Sequence, residues 1–230
     1  MDNINKLLEK REGRLDRTQS IQALYEKINR AKMVLHFVQS APNNSKGRRM
    51  KSEARKQFII SLVTAFETYT GDLVVELIDN NRVNLNPKLL EGISAKYNIK
   101  EINDIIKNKL TIGELICDNL NFQRLDSTFE YLSRLFNRNF PKVLEENKFQ
   151  FKNTKGNIVT ITLRKGFIKN LESIFRLRHQ FVHEISFKNT PSYDKTKLYS
   201  RLMKNLATCI DVLADSLRNS TITDSKLKKK

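Results

Sequence analysis

The pattern of apolar and polar residues along the chain predicts a helical protein. Residues 52–80 form the clearest helix, because large apolar side chains recur there every three or four positions. The stripe consists of Phe58, Leu62, Phe66, Tyr69, Leu73 and Leu77. Further apolar residues widen it, so we expect this helix to be largely buried. The other predicted helices lie within 3–39, 89–93, 99–110, 112–120, 125–136, 167–186 and 195–218.

One segment departs from the helical pattern. Between residues 148 and 163 apolar and polar residues alternate, and the turn-forming stretch 153–157 divides the alternation in two, which predicts a β-hairpin. The predicted fold class is therefore all-α, a helical bundle with a small hairpin insertion at about 148–163. We expect a single domain over 1–220, with 1–50 as an N-terminal helical extension and 221–230 as a basic disordered tail.

Composition narrows the setting of this bundle. No apolar run near 18 residues lacks a charge, and the N-terminus has no apolar signal-peptide core. We therefore expect a cytoplasmic protein with no membrane partner. The two cysteines, Cys117 and Cys209, lie in helical patterns without metal-ligand spacing, and we expect buried free thiols.

Charge indicates the kind of partner. The formal net charge is +17, and it is unevenly distributed. Residues 142–180 carry nine Lys or Arg against three Asp or Glu, whereas residues 57–81 carry four acidic residues and no basic one. A basic surface of this kind favours a nucleic acid as the partner, because phosphate contacts supply most of the affinity for a polyanion.

The chemistry concentrates in the run RLRHQFVHE, residues 176–184, which holds two of the three histidines of the chain. Histidine exchanges a proton near neutral pH, and arginine carries a planar positive charge suited to phosphate. On a helical wheel Arg176, His179 and His183 share one polar side, while Arg178 interrupts the apolar side about 140° from His183. A charge on an apolar side is costly unless it is paired or used. Both arginines therefore stay candidates.

This run resembles the Arg-x4-6-His signature of the HEPN superfamily, the helical RNA-cleaving domains of prokaryotic toxin, phage-defence and CRISPR-associated systems. Arg178 to His183 matches the x4 form, with a polar residue directly after the arginine. Arg176 to His183 matches the x6 form without that polar neighbour. The setting is also similar, because an earlier apolar helix contains Phe66-Glu67 and an amphipathic helix follows, so the resemblance covers about 55–218.

The resemblance implies a HEPN-like helical bundle and an endoribonuclease that needs no metal or other cofactor. His183 would act as general acid or base, and Arg178 would stabilise the transition state, with a 2′,3′-cyclic phosphate as a product. His179, Glu67 and Arg176 are auxiliary candidates: an orienting or second catalytic group, a residue that holds Arg178, and the alternative arginine.

The resemblance also implies partners. HEPN nucleases pair two signature helices, so a homodimer with a composite active site is expected. The substrate would be RNA, single-stranded or tRNA-like. An antitoxin or another protein of a defence or toxin-type system is a further expected partner.

Several alternatives remain open at this point. A catalytically inactive HEPN-like module would bind RNA or a partner protein without cutting. His179 and His183 are spaced to chelate a metal with Glu172 or Glu184, although Gln180 stands where the zinc hydrolase motif has glutamate. A helical DNA-binding or scaffolding protein is a third possibility.

Each site residue also has a structural interpretation. His183 fits a helix-end residue, Arg178 a structural ion pair with Glu67, and Glu67 an ordinary surface position. His36, alone in the apolar stretch 33–38, is predicted to lie in or at the edge of the core.

Overall fold

A computed structural model of the protein describes residues 2–12, 17–83, 99–152, 156–184 and 189–227. Over these residues the fold is all-α apart from one two-stranded sheet, as predicted. The elements are α1 (Asp2–Glu12), α2 (Arg17–Gln39), α3 (Ser45–Asp79), α4 (Ile99–Lys107), α5 (Ile112–Asp118), α6 (Leu125–Phe136), α7 (Phe140–Glu146), β1 (Lys148–Lys152), β2 (Ile158–Thr162), α8 (Phe167–His183) and α9 (Tyr193–Leu227). The helix predicted over 89–93 lies outside the described residues.

Helix α3 forms the centre of the bundle, and its predicted burial is confirmed. It packs most extensively against α2 and also contacts α5, α8 and α9. The ring of Phe66 meets that of Phe175 in α8 edge to face, with 6.0 Å between the ring centroids. The Tyr69 hydroxyl donates a hydrogen bond of 3.1 Å to the Ala207 carbonyl oxygen in α9. These contacts fix α8 and α9 against the middle of α3, beside Glu67.

Helix α3 begins seven residues earlier than the apolar stripe indicated, within a stretch of turn-forming residues. The Asn44 side chain caps the helix by accepting a hydrogen bond of 2.8 Å from the Gly47 backbone N–H. A Cβ at Gly47 would lie 1.8 Å from the Pro42 carbonyl oxygen, so only glycine allows the incoming chain to pass this close. Gly47 lies among turn-forming residues, yet it is part of the first helical turn, where the packing requires a glycine.

Pro141 follows the predicted helix 125–136, where a proline would be expected to stop a helix, but it does not end that helix. Helix α6 spans the predicted residues 125–136 and ends at Asn137, whose backbone adopts a left-handed conformation with φ 51°. Pro141 instead lies in the first turn of the short helix α7, where its missing N–H has no intrahelical partner to lose. A proline in the first turn of a helix and a proline shortly after the end of a helix have similar neighbouring residues, so the local sequence does not distinguish the two positions.

The predicted hairpin is confirmed as an antiparallel pair. Strands β1 and β2 pair with Phe149 opposite Ile161 and Phe151 opposite Val159. Phe149 is buried, and β1 contacts α9. Gly166 then adopts φ 85°, a left-handed conformation that turns the chain into α8.

The last helix is longer than predicted. Helix α9 runs from Tyr193 through Leu227, so residues 221–227, expected in a disordered tail, are helical. Neither cysteine forms a disulfide with a described residue; Cys209 is buried as expected, whereas Cys117 is half-buried.

Helix α2 corrects the prediction for His36. His36 is exposed, as are Met33, Val34 and Phe37, and within this apolar stretch only Leu35 is buried. Its Nδ1 lies 3.1 Å from the Tyr193 hydroxyl at the start of α9. The stretch is apolar on several sides of the helix, so its density did not indicate which side faces the core.

The N-terminal helix is tied to the segment around α5. The Arg11 Nε donates a hydrogen bond of 2.7 Å to the Glu114 carboxylate, and its Nη1 donates one of 2.8 Å to the Asn108 carbonyl oxygen. Ile4 and Leu7 of the same helix are buried. The N-terminal extension therefore packs on the bundle.

Among the described residues, α3 alone has the length and apolar composition that would allow a helix to cross a membrane. Of its most apolar 18-residue window, 61% is buried inside the protein. Packing at the centre of the bundle accounts for this composition.

Candidate active site

Helix α8 presents the predicted run on two different sides. Arg176, His179 and His183 are exposed, whereas Arg178 is buried with 9% of its surface accessible. The wheel separation of about 140° between Arg178 and His183 is thus realised as an inward arginine and an outward histidine. Val182 lies one helical turn after Arg178 on the same side of α8, but it is 46% exposed because it belongs to the last turn, beside the exposed His183 and Glu184.

The two histidines of the run lie side by side at the C-terminal end of α8. The centroids of the His179 and His183 rings are 4.6 Å apart, and the ring planes are tilted by 47°. Neither ring makes a hydrogen bond with another described residue. Both imidazoles can therefore exchange protons with a ligand that approaches this end of the helix.

Arg178 is held from two directions. Its Nη1 donates a hydrogen bond of 3.0 Å to the Gln123 side-chain oxygen, which lies just before α6. Its Nη2 lies 3.8 Å from the Glu67 carboxylate of α3. The structure therefore brings Glu67 and Arg178 together as the sequence predicted, and adds Gln123.

This arrangement leaves buried polar atoms without partners. The Arg178 Nε and one Glu67 carboxylate oxygen are buried, and neither has a hydrogen-bond partner among the described residues. At 3.8 Å the ion pair is too long for a hydrogen bond. Burial raises the pKa of Glu67, and the attraction to Arg178 only partly opposes this effect. Buried, incompletely paired ionisable groups of this kind are frequent at functional sites.

Gln123 is the contact that sequence reasoning missed. It lies 55 residues before Arg178. It is exposed, and no local pattern marks it. Only the packing of α6 on α8 brings it to the guanidinium.

A cavity of about 690 Å³ lies on the α3 side of the Arg178 contacts, and it is acidic. Its lining includes Gln123 and Glu67 together with Glu9, Asp72 and Asp118. Lys10, which pairs with Asp118 at 2.7 Å, is the basic residue in this lining. A phosphate is therefore disfavoured on this side.

The metal alternative rests on His179 and His183 with a third ligand. Within the described part of the chain, no group of three or more His, Cys, Asp or Glu side chains is placed to hold a metal ion. The two histidines stand together, but Glu172 lies about 16 Å along the helix from His183, at 1.5 Å per residue. The described residues therefore supply only two of the ligands that a metal site at His179 and His183 would need.

The fold and the spacing of Arg178 and His183 define a protein of the HEPN superfamily. The chain belongs to the RiboL-PSP-HEPN family, whose family model matches residues 14–215. This membership indicates a nuclease or RNA-binding module. No curated protein and no solved structure matches the chain.

Proposed function

We infer that the protein is a metal-independent endoribonuclease that acts as a homodimer. The observation that carries this inference is the pairing of two free, adjacent imidazoles with a buried guanidinium on one helix of a HEPN-family domain. The net charge of +17 supports RNA, single-stranded or tRNA-like, as the substrate.

The proposed reaction needs no group beyond these side chains. His183 accepts the proton of a ribose 2′-hydroxyl, whose oxygen attacks the adjacent phosphorus. The bond from phosphorus to the 5′-oxygen breaks, and that oxygen leaves with a proton from a second imidazole. Arg178 stabilises the negative charge that gathers on the phosphorane oxygens. The products are a 2′,3′-cyclic phosphate and a 5′-hydroxyl.

The other candidates receive supporting roles in this proposal. His179 is the neighbouring imidazole that orients His183 or supplies the second proton. Glu67 and Gln123 hold the Arg178 guanidinium. Arg176, exposed on the side of the histidines, binds the RNA backbone.

A composite site between two chains follows from the position of Arg178. Within one protomer the guanidinium and the His183 ring leave the helix about 140° apart, so one phosphate contacts both only if Arg178 rearranges. In a two-fold dimer the arginine of one chain and the histidine of the other can act on the same phosphate.

The biological setting is part of the same proposal. We place the enzyme in the cytoplasm, in a prokaryotic defence or toxin-type system, with an antitoxin or another system protein restraining it. The family resemblance carries this step.

The direct test is cleavage of an end-labelled RNA in EDTA by the wild type, Arg178→Ala, Arg178→Lys and His183→Ala. We expect cleavage by the wild type, with 2′,3′-cyclic ends, and loss of about 100-fold or more in both alanine variants. Arg178→Lys keeps the positive charge but loses the planar guanidinium with its paired N–H donors, so it should recover little activity. Undiminished cleavage in the alanine variants would refute the site, and loss of wild-type cleavage in EDTA would favour the metal.

A mixing experiment tests the composite site. Arg178→Ala and His183→Ala are each inactive, but if one site takes its arginine and histidine from different chains, mixed dimers contain one intact site. Equal mixing should then restore about a quarter of the wild-type activity. Absence of recovery, with exchange of subunits verified by mass, would place both groups in one chain.

The inactive HEPN module remains the second candidate, and the burial of Arg178 favours it. A guanidinium engaged by Gln123 and Glu67 is less available to a phosphate. Such a module would bind RNA in a gel-shift assay without cutting it, and Arg178→Ala would leave that binding unchanged.

A further inference from the structure

A second cavity, of about 390 Å³, opens between α6 and α8, with His179 in its lining. Phe129, Ile168 and Phe175 contribute apolar surface to it, and Arg176 and His179 stand at its edge. Its volume falls in the range of about 300–1,000 Å³ that small-molecule sites occupy. An apolar cavity with a few polar groups suits a flat, partly polar ring such as a nucleobase.

Electrostatics favours this cavity over the one on the other side of Arg178 for an RNA strand. The α3-side cavity is lined by four carboxylates and one lysine, whereas in the α6–α8 cavity Arg124, Arg176 and His179 stand beside two carboxylates. A phosphodiester that reaches the histidines therefore has its base on the α6–α8 side.

Two carboxylates line the cavity, but only one of them is free. Arg124 donates two hydrogen bonds to Asp126, of 3.2 and 2.7 Å, and this contact lowers the pKa of Asp126 to about 2. Glu172 makes no hydrogen bond or ion pair with any described residue, even though Arg176 lies one helical turn away. The cavity thus contains one carboxylate whose acceptors are unused.

We propose that this cavity binds a guanine base of the RNA, with the Glu172 carboxylate as the group that selects it. Guanine presents two parallel donors, N1–H and the exocyclic amino group, to a single carboxylate. Adenine and cytosine present only an amino group there, and uracil only one ring N–H. A two-donor contact to a carboxylate is the stronger and the more selective arrangement.

The position of Glu172 makes this a site next to the cleaved bond. Glu172 and His179 are seven residues apart on one side of α8, a rise of about 10 Å. Arg176 lies between them, where the phosphate attached to the bound nucleoside would reach it. The bound guanosine therefore flanks the phosphodiester at the histidines. This assignment rests on the proposed ribonuclease function, but the base site can be measured without cleavage.

The first experiment measures nucleotide binding by calorimetry with the 230-residue chain. The probes are guanosine 3′-monophosphate, adenosine 3′-monophosphate and inorganic phosphate, tested against the wild type, Glu172→Gln and Glu145→Gln. Glu145 is an exposed carboxylate of α7, so its variant removes the same charge outside the cavity. We expect the wild type and Glu145→Gln to prefer the guanine nucleotide roughly 10- to 100-fold, and Glu172→Gln to lose this preference.

The second experiment maps cleavage on an end-labelled RNA of mixed sequence with the same three proteins. We expect cleavage next to guanosine in the wild type and in Glu145→Gln, and dispersed cleavage in Glu172→Gln. Because Glu172 is exposed, its replacement should leave the melting temperature unchanged, which circular dichroism verifies.

The outcomes separate the base site from the enzyme. Equal binding of both nucleotides, or a guanine preference that survives in Glu172→Gln, would overturn the base site. Cleavage without guanosine preference alongside equal nucleotide binding would leave the ribonuclease and remove the base site. Selective guanine binding without any cleavage would support the base site and remove the ribonuclease.

Discussion

The replacement of Gln123 by alanine is the most informative perturbation of the Arg178 contacts. Among the described residues, Gln123 alone makes a hydrogen bond with the Arg178 guanidinium, at 3.0 Å. Without it the remaining described anchor is Glu67, at 3.8 Å. Because Gln123 is exposed, its replacement by alanine leaves no cavity in the core and tests the hydrogen bond rather than the packing.

The expected stability change follows from this contact. Hydrogen bonds to charged groups contribute about 1.5–3 kcal/mol, and the lower end applies because water can partly replace an exposed side chain. We expect Gln123→Ala to lose about 1.5 kcal/mol of unfolding free energy. For a chain of this length that corresponds to a melting temperature lower by about 3–6 °C.

The expected change in catalysis is larger. A guanidinium that is no longer oriented is misplaced by a fraction of an ångström or more, and such errors cost up to about 100-fold in rate. We expect kcat for RNA cleavage to fall about 10- to 100-fold with a smaller change in KM, because Arg178 is proposed to act on the transition state.

The assay pairs thermal denaturation with RNA cleavage kinetics, and Gln57→Ala is the matched control. Gln57 is an exposed glutamine of α3 whose side chain makes no hydrogen bond with another described residue. If Gln123→Ala melts and cleaves like Gln57→Ala, the positioning argument is refuted. A lower melting temperature with unchanged kcat would confirm that the hydrogen bond stabilises the fold and would refute its role in positioning Arg178 for catalysis.

Three further predictions concern other parts of the fold. Burial raises the pKa of Glu67 above its ordinary 4.5, so ionisation of this carboxyl lowers the stability of the folded protein. Chemical denaturation at pH 4 and pH 7 should therefore show that the wild type loses stability relative to Glu67→Gln as the pH rises. An unchanged difference between the two pH values would contradict this direction. Gly47→Ala should lower the unfolding free energy by about 1–3 kcal/mol, because its Cβ meets the Pro42 carbonyl oxygen; thermal melting equal to wild type would show that the chain relaxes without cost. Burial raises the pKa of Cys209 to about 12, so a thiol reagent should label half-buried Cys117 first in the native protein, and mass spectrometry showing equal rates would contradict the packing of α9.

Local sequence patterns predicted the helices and strands that bury one continuous stripe of apolar side chains. Helix α3 and the signature helix α8 have long apolar periodicities, and the hairpin has a clear alternation. The hairpin and α8 were therefore predicted close to their observed ranges, and α3 was predicted except for its first seven residues. The errors occurred where one residue type serves two structures. Pro141 begins a helix rather than ending one, and Gly47 lies inside a helix rather than in a loop.

The candidate site was predictable only along α8 itself. Helical periodicity places Arg178 inward and the histidines outward, and the apolar surroundings of Glu67 suggested a charged partner. Gln123 and the cavity beside Glu172 depend on how α6 packs against α8, which no local spacing encodes. His36 illustrates the same limit, because an apolar stretch does not show which of its sides a neighbouring helix covers.

The energetics of Arg178 bear on its interpretation as a structural ion pair. A buried pair stabilises a protein only when good geometry and further hydrogen bonds compensate for the loss of hydration. Here the charged groups are 3.8 Å apart, and each retains a buried atom without a partner among the described residues.

The pKa of Glu67 is raised rather than lowered, which means that desolvation outweighs the attraction to Arg178. An apolar residue at this position, like Leu171 and Ile174 earlier on the same helix, would satisfy the core at lower cost. Holding α3 to α8 therefore does not account for the arginine. A guanidinium that is buried and incompletely satisfied fits the proposed site, in which Arg178 would turn towards the substrate phosphate, an anion whose charge and geometry match the guanidinium.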